Sequence, residues 1–143
     1  MSITITPFTK QQLLPQEEKL EVARKKSELF IGIPKETSYQ ERRICLTPDA
    51  VNSLTYHGHR VMIEAGAGLN SSYTDKEYCD AGAEVTSDTK KVFSCPMILK
   101  VEPATLAEIE MMNPQTILLS AIQLKTRKKV YFEALTKKKI TAL

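Results

Sequence analysis

Short apolar runs alternate with capped helical segments from residue 29 to residue 143, and this alternation restricts the fold more than any other feature. Strand signals fall at 29–33, 60–64, 83–86, 96–101, 116–120 and 140–143, with helix signals between most of them. Thr47 can cap a helix that has Pro48 in its first position and ends before Gly58. Thr74-Asp75-Lys76-Glu77 and Thr105-Leu106-Ala107-Glu108 are capping boxes. The helix after the first ends before Gly82, and the helix after the second stops at Asn113-Pro114. Thr126 is expected to cap the last helix, whose apolar stripe is Val130, Tyr131, Ala134 and Leu135. Strands separated by single helices predict an α/β fold of three layers, α/β/α, with a mainly parallel sheet, flavodoxin-like and Rossmann-related.

This domain takes in residues 29–143. Residues 1–28 stand apart as an N-terminal helical arm, because 16–28 is highly charged, acidic early and basic late, and follows Pro15. At the other end, Ile140-Thr141-Ala142-Leu143 is a strand-like run with no helix after it. A β/α unit seldom stops there, so one domain of a longer polypeptide is expected.

A chain of 143 residues, 42% hydrophobic and 26% charged, matches one domain with one core. No apolar run approaches the ~20 residues that span a bilayer, and the N-terminus lacks the pattern of a secretory signal. Cys45, Cys79 and Cys95 are odd in number and show no C-x-x-C spacing. That usage fits reduced thiols in the cytoplasm and gives neither a disulfide framework nor a zinc site. His57 and His59 are the only imidazoles, which argues against a metal centre. The net charge of +3 is mild. Basic residues do gather at 125–129 and 137–139, but no stacking aromatics accompany them. A solvated helix whose last-turn lysines complement its dipole explains them better than a nucleic-acid footprint.

Three strand ends carry the candidate chemistry. In open α/β sheets, ligands sit outside the carboxyl ends of the strands. The loop after Ile33 holds Lys35, Glu36, Glu41, Arg42 and Arg43. A guanidinium there can grip a carboxylate or phosphate with two parallel hydrogen bonds, or can close a salt bridge to Glu36 or Glu41. Because Ile44, Cys45 and Leu46 follow it, Arg43 is expected nearer the core than Arg42. Lys100 closes the next candidate strand, where it can polarise a carbonyl or pack its stem and extend its ammonium to water. Gln123, after the strand at 116–120, offers an amide. Together Arg43, Lys100 and Gln123 suggest an anion-binding rim. The segment from Glu64 to Ser71 is G-x-G-x-x-S, without the third glycine of a dinucleotide turn. The next cap comes only at Thr74, so a tight turn is the better reading.

Taken in order, IGIPKE, ERRICLTPDAV, GHRVMIEAGAG, AGAEV and ILKVEP resemble the N-terminal domain shared by alanine dehydrogenases and the alpha subunit of nicotinamide nucleotide transhydrogenases, over residues 30–143. The 1–28 arm has no counterpart in that pattern. The resemblance implies a second, C-terminal Rossmann domain that binds NAD and faces this one across a cleft. It implies NAD-dependent oxidative deamination of L-alanine, or a similar small amino acid, to pyruvate and ammonium, in a homo-oligomer when full-length. Arg43, five residues before the Pro of the T-P helix start, takes the place of the arginine that holds the substrate carboxylate. Two departures stand out. The dehydrogenase K-V-K-E-P is one residue shorter here, Lys100-Val101-Glu102-Pro103, so either Glu102 or Lys100 falls at the family lysine. The dehydrogenase histidine falls on Gln123, an amide that cannot titrate. The segment from Glu108 to Pro114 is closer to the transhydrogenase version, although the transhydrogenase Trp-Pro-Ala-Gln segment is absent. The alternatives are therefore a transhydrogenase alpha-subunit domain and a degenerate, non-catalytic contact module.

Overall fold

The computed structural model describes residues 27–143; the expected arm, apart from its last two residues, lies outside them. All six expected strands form, as β1 (Phe30–Ile33), β2 (Arg60–Glu64), β3 (Glu84–Thr86), β4 (Met97–Leu99), β5 (Ile117–Leu119) and β6 (Thr141–Ala142). They make one sheet in the order β3-β2-β1-β4-β5-β6, and every neighbouring pair is parallel. The helices are α1 (Pro48–Tyr56), α2 (Asp75–Asp80), α3 (Thr89–Phe93), α4 (Leu106–Met111) and α5 (Lys129–Lys137).

Burial on both faces of the sheet follows from where those helices lie. One apolar cluster joins Ile31, Ile33, Val61 and Ile63 of the sheet to Val51 of α1 and Tyr78 of α2. The other joins Met62, Ile98 and Leu118 to α3 through Val92 and Phe93, to α4 through Ile109, and to α5 through Tyr131 and Leu135. Alternate residues of β2 thus feed opposite cores, which is why Val61, Met62 and Ile63 are all buried. Burial of each such side chain is worth about 1.5–3 kcal/mol.

The caps act largely as expected. Thr47 accepts from the Ala50 N–H ahead of Pro48, and Thr74 and Thr105 both complete capping boxes. The last helix differs: its N-cap is Lys128, with no side-chain cap bond. Thr126 instead turns its hydroxyl back to the Gln123 carbonyl at 3.0 Å, because Gln123 sits in left-handed backbone (φ 52) and closes a local turn first. The short helix α3 is capped by Asp88, whose carboxylate accepts from the Lys90 and Lys91 N–H groups. It packs so closely on the sheet that a Cβ at Gly32 would lie 2.5 Å from the Val92 carbonyl oxygen.

The strand order fixes where a site can form. The chain runs outward through β1, β2 and β3, then crosses back to β4 on the other side of β1. The carboxyl ends of β1 and β4 therefore diverge, and the crevice between them is the switch point of a doubly wound sheet.

Candidate functional site

Three residues past β1 and one past β4, Glu36 and Lys100 meet at that crevice. Glu36 Oε1 accepts the Val101 N–H at 2.7 Å, tying together loops 65 residues apart. Lys100 Nζ lies 2.8 Å from Glu108 Oε1 and 3.7 Å from Glu36 Oε2. The three side chains are only 2%, 8% and 9% exposed, in the order Lys100, Glu108, Glu36. The second oxygen of Glu108 accepts the Thr105 N–H at 2.7 Å, so one carboxylate serves both the α4 capping box and the lysine. Of the two readings of Lys100, neither a free ammonium nor one reaching water is seen; it is buried and ion-paired. Burial pushes the Glu36 carboxyl above the usual carboxylate range, against the pull of the Val101 N–H and the Lys100 charge.

Arg43 lies on the outer lip of the same loop. Its side chain is 73% exposed, so the expectation that it sits nearer the core is corrected: the half-buried Ile44, Cys45 and Leu46 turn inward while the arginine does not. Glu41 holds it. Arg43 Nε donates to Glu41 Oε1 at 2.9 Å, Nη2 donates to Oε2 at 2.6 Å, and the Arg43 backbone N–H donates to Oε1 at 2.8 Å. These contacts hold the Glu41 carboxyl down at about 2 and push the guanidinium further up. The charge of Glu102 and, more weakly, that of Glu36 when ionised act on Arg43 as well. A cleft of about 410 Å³ opens on the Glu41 side of the pair, lined by Ser38, Tyr39, Gln40, Glu41, Arg42 and Asn70 but not by Arg43 itself. Its size suits a small ligand. Arg42 contributes its carbonyl to the Ser71 hydroxyl.

Gln123 is exposed at the third strand end. Its Oε1 is 3.4 Å from the Thr126 hydroxyl. Left-handed backbone at a residue that is not glycine is strained, and such strain often gathers at ligand sites. Cys45, near the crevice, is held as the thiol: burial pushes it up to about 11. Sequence reading missed Glu108 as a partner of Lys100 and passed over the isolated burial of Glu36. The capping box already fixed where Glu108 would stand. A lysine closing a buried strand needs a counter-ion, and that requirement was the available signal.

The glycine turn does not fit a dinucleotide. The Gly66 N–H, which would face a pyrophosphate, donates to Asp75 Oδ1 at 2.8 Å, and that carboxylate would repel one. A Cβ at Gly68 would lie 2.6 Å from the Tyr78 ring, so this glycine serves packing. Among the described residues, no helix is long and apolar enough to cross a membrane.

Comparisons with known proteins place the fold in a family. The family model described as alanine dehydrogenase/PNT, N-terminal domain, matches residues 32–143. An alanine dehydrogenase of Methanococcus maripaludis is 40% identical over 116 residues, which are 80% of this chain and 31% of that protein. A solved L-alanine dehydrogenase superposes with a TM-score of 0.76 at 34% identity, covering 80% of this chain and 32% of that one. A transhydrogenase from Sinorhizobium meliloti superposes with a TM-score of 0.71 at 28% identity, covering 79% of this chain and 33% of its own. The chain thus spans about a third of the length of the relatives it matches. It belongs to the alanine dehydrogenase/PNT family, in which it is the N-terminal domain.

Proposed function

We propose that this domain is the substrate side of an NAD-dependent alanine-dehydrogenase-like oxidoreductase, which deaminates L-alanine or a similar small amino acid to the 2-oxo acid and ammonium. The observation that carries the reading is Arg43: an exposed guanidinium with two parallel donors, held at the carboxyl edge of the sheet by Glu41, which itself lines a small cleft. A substrate carboxylate would take over or share the donors now given to Glu41. Gln123 would donate an amide hydrogen bond to the oxo group. Lys100 would stand behind that oxo group as part of the wall rather than donate to it, because its own donors face Glu108 and Glu36.

NAD supplies the hydride acceptor. Because the glycine turn of this chain does not suit a pyrophosphate, the cofactor is assigned to a further, C-terminal domain of the same polypeptide. That domain would close the cleft from the opposite side, and a homo-oligomer is proposed for the whole protein. The domain alone is then inactive, and the compartment proposed for the enzyme is the cytoplasm.

One observation favours a second reading. Gln123 is an amide and cannot titrate, and the Lys100 donors are engaged by Glu108 and Glu36. Hydride transfer between NAD(H) and NADP(H) needs no acid or base, and a transhydrogenase is among the structural relatives. An assay of the full-length protein separates the two. L-Alanine-dependent reduction of NAD supports the dehydrogenase. Hydride transfer from NADPH to an NAD analogue, without alanine turnover, supports the transhydrogenase. Neither activity, in protein that still folds, leaves the non-catalytic contact module.

A further inference from the structure

Behind the rim, one ammonium and two carboxyl groups share a single dry compartment. Every polar atom of Lys100, Glu36 and Glu108 has an assigned partner except one. Glu108 gives one oxygen to Lys100 and the other to the Thr105 N–H, and Glu36 Oε1 takes the Val101 N–H. Glu36 Oε2 is buried without a hydrogen-bond partner and stands 3.7 Å from Lys100 Nζ, beyond hydrogen-bond reach. With all three groups ionised, the compartment would hold one uncompensated negative charge. Buried groups in that position usually neutralise by taking up a proton.

The other groups acting around Glu36 do not supply the missing positive charge. Arg43 is exposed and given to Glu41, Cys45 is held neutral by burial, and Glu102 offers Glu36 only its backbone N–H. Glu108 already neutralises Lys100 at the shorter distance. Oxygen by oxygen, Glu36 Oε2 is the one place left for a proton.

We propose that Glu36 holds a proton at neutral pH, so that Lys100, Glu36 and Glu108 form an electrically neutral triad, and that loss of this proton weakens carboxylate binding at the Arg43 rim. The second clause rests on the function proposed above. Ionised Glu36 would add a negative charge behind the guanidinium, with a weaker pull than Glu41 and Glu102, and thereby offset part of the field that attracts a carboxylate. Glu36 is a positioning residue in this scheme. It touches Lys100 and the backbone of the β4 loop, not the ligand.

Two measurements on the full-length protein test the two clauses separately. Isotope-edited infrared spectra should show, at neutral pH, the carbonyl stretch of a protonated carboxylic acid. The band should vanish in Glu36→Gln and fade in the wild type as pH rises. Its absence from the wild type at neutral pH, or its survival in folded Glu36→Gln, overturns the proton assignment. The wild-type titration decides the matter even if the variant fails to fold. Calorimetric binding of pyruvate should weaken several-fold as the band fades, while Glu36→Gln binds equally well across that range. Pyruvate affinity that ignores the band overturns the linkage. No pyruvate binding at any pH overturns the linkage together with the proposed function, and the infrared result still stands on its own.

Discussion

Arg43 is exposed and yet not free, and that combination sets what the site can do. Glu41 stands two residues before it and takes three of its donors, the backbone N–H included. Glu41→Gln keeps the shape but removes the competing charge, so it should raise affinity for pyruvate, measured by calorimetry; unchanged affinity would mean that Glu41 is no competitor. The same contact has a pH signature. Because the folded carboxyl is held at about 2, below its unfolded value of about 4.3, its stabilising effect is fully present above the unfolded value. It is lost as pH falls through the folded one. Acid unfolding of Glu41→Gln should therefore be flatter over that window than in the wild type. Glu36 has the opposite sign. Its folded carboxyl is raised by burial, so the unfolded chain gives up its proton first and stability falls as pH rises above about 4.3. Glu36→Gln should be more stable than the wild type at neutral pH, and the difference should close in acid.

At the scale of elements, the ends of β1, β4 and α4 are bolted together by one buried lysine. Lys100→Met removes the cation and leaves carboxyl groups facing one another at 8% and 9% exposure. Breaking a buried pair in this way costs about 3–5 kcal/mol, to be read from the urea midpoint; a loss below ~1 kcal/mol would show the triad to be dispensable. Gly32→Ala should also destabilise, by about 1–3 kcal/mol, because the added methyl meets the rigid Val92 carbonyl rather than a mobile side chain. Much at this scale was legible in the sequence. Thr47-Pro48, Thr74 with Glu77, and Thr105 with Glu108 are local signals, and local chemistry decided those helix starts. Two features were not legible. The last helix starts at Lys128 because a strained turn at Gln123 captures Thr126. The outward turn of Arg43 depends on a hydrogen-bonded contact with Glu41 that competes with the apolar pull of residues 44–46.

For the whole molecule, the strand order puts Glu36, Arg43, Lys100 and Gln123 on the carboxyl edge although 87 residues separate the first from the last. Single-helix alternation made a parallel sheet predictable from sequence. The crossover from β3 to β4, which creates the crevice, depends on long-range pairing that no local signal records. The family accounts for the rest: this chain supplies about a third of its relatives' length, and the proposed cofactor domain supplies what the glycine turn cannot. The most direct test of the carboxylate clamp is the steady-state kinetics of the full-length protein with L-alanine and NAD, wild type beside Arg43→Ala. A clamp at Arg43 predicts NAD reduction by the wild type, and in Arg43→Ala a kcat/KM for alanine lowered at least several-fold while folding and NAD affinity hold. Equal kcat/KM for alanine in the two proteins would contradict it.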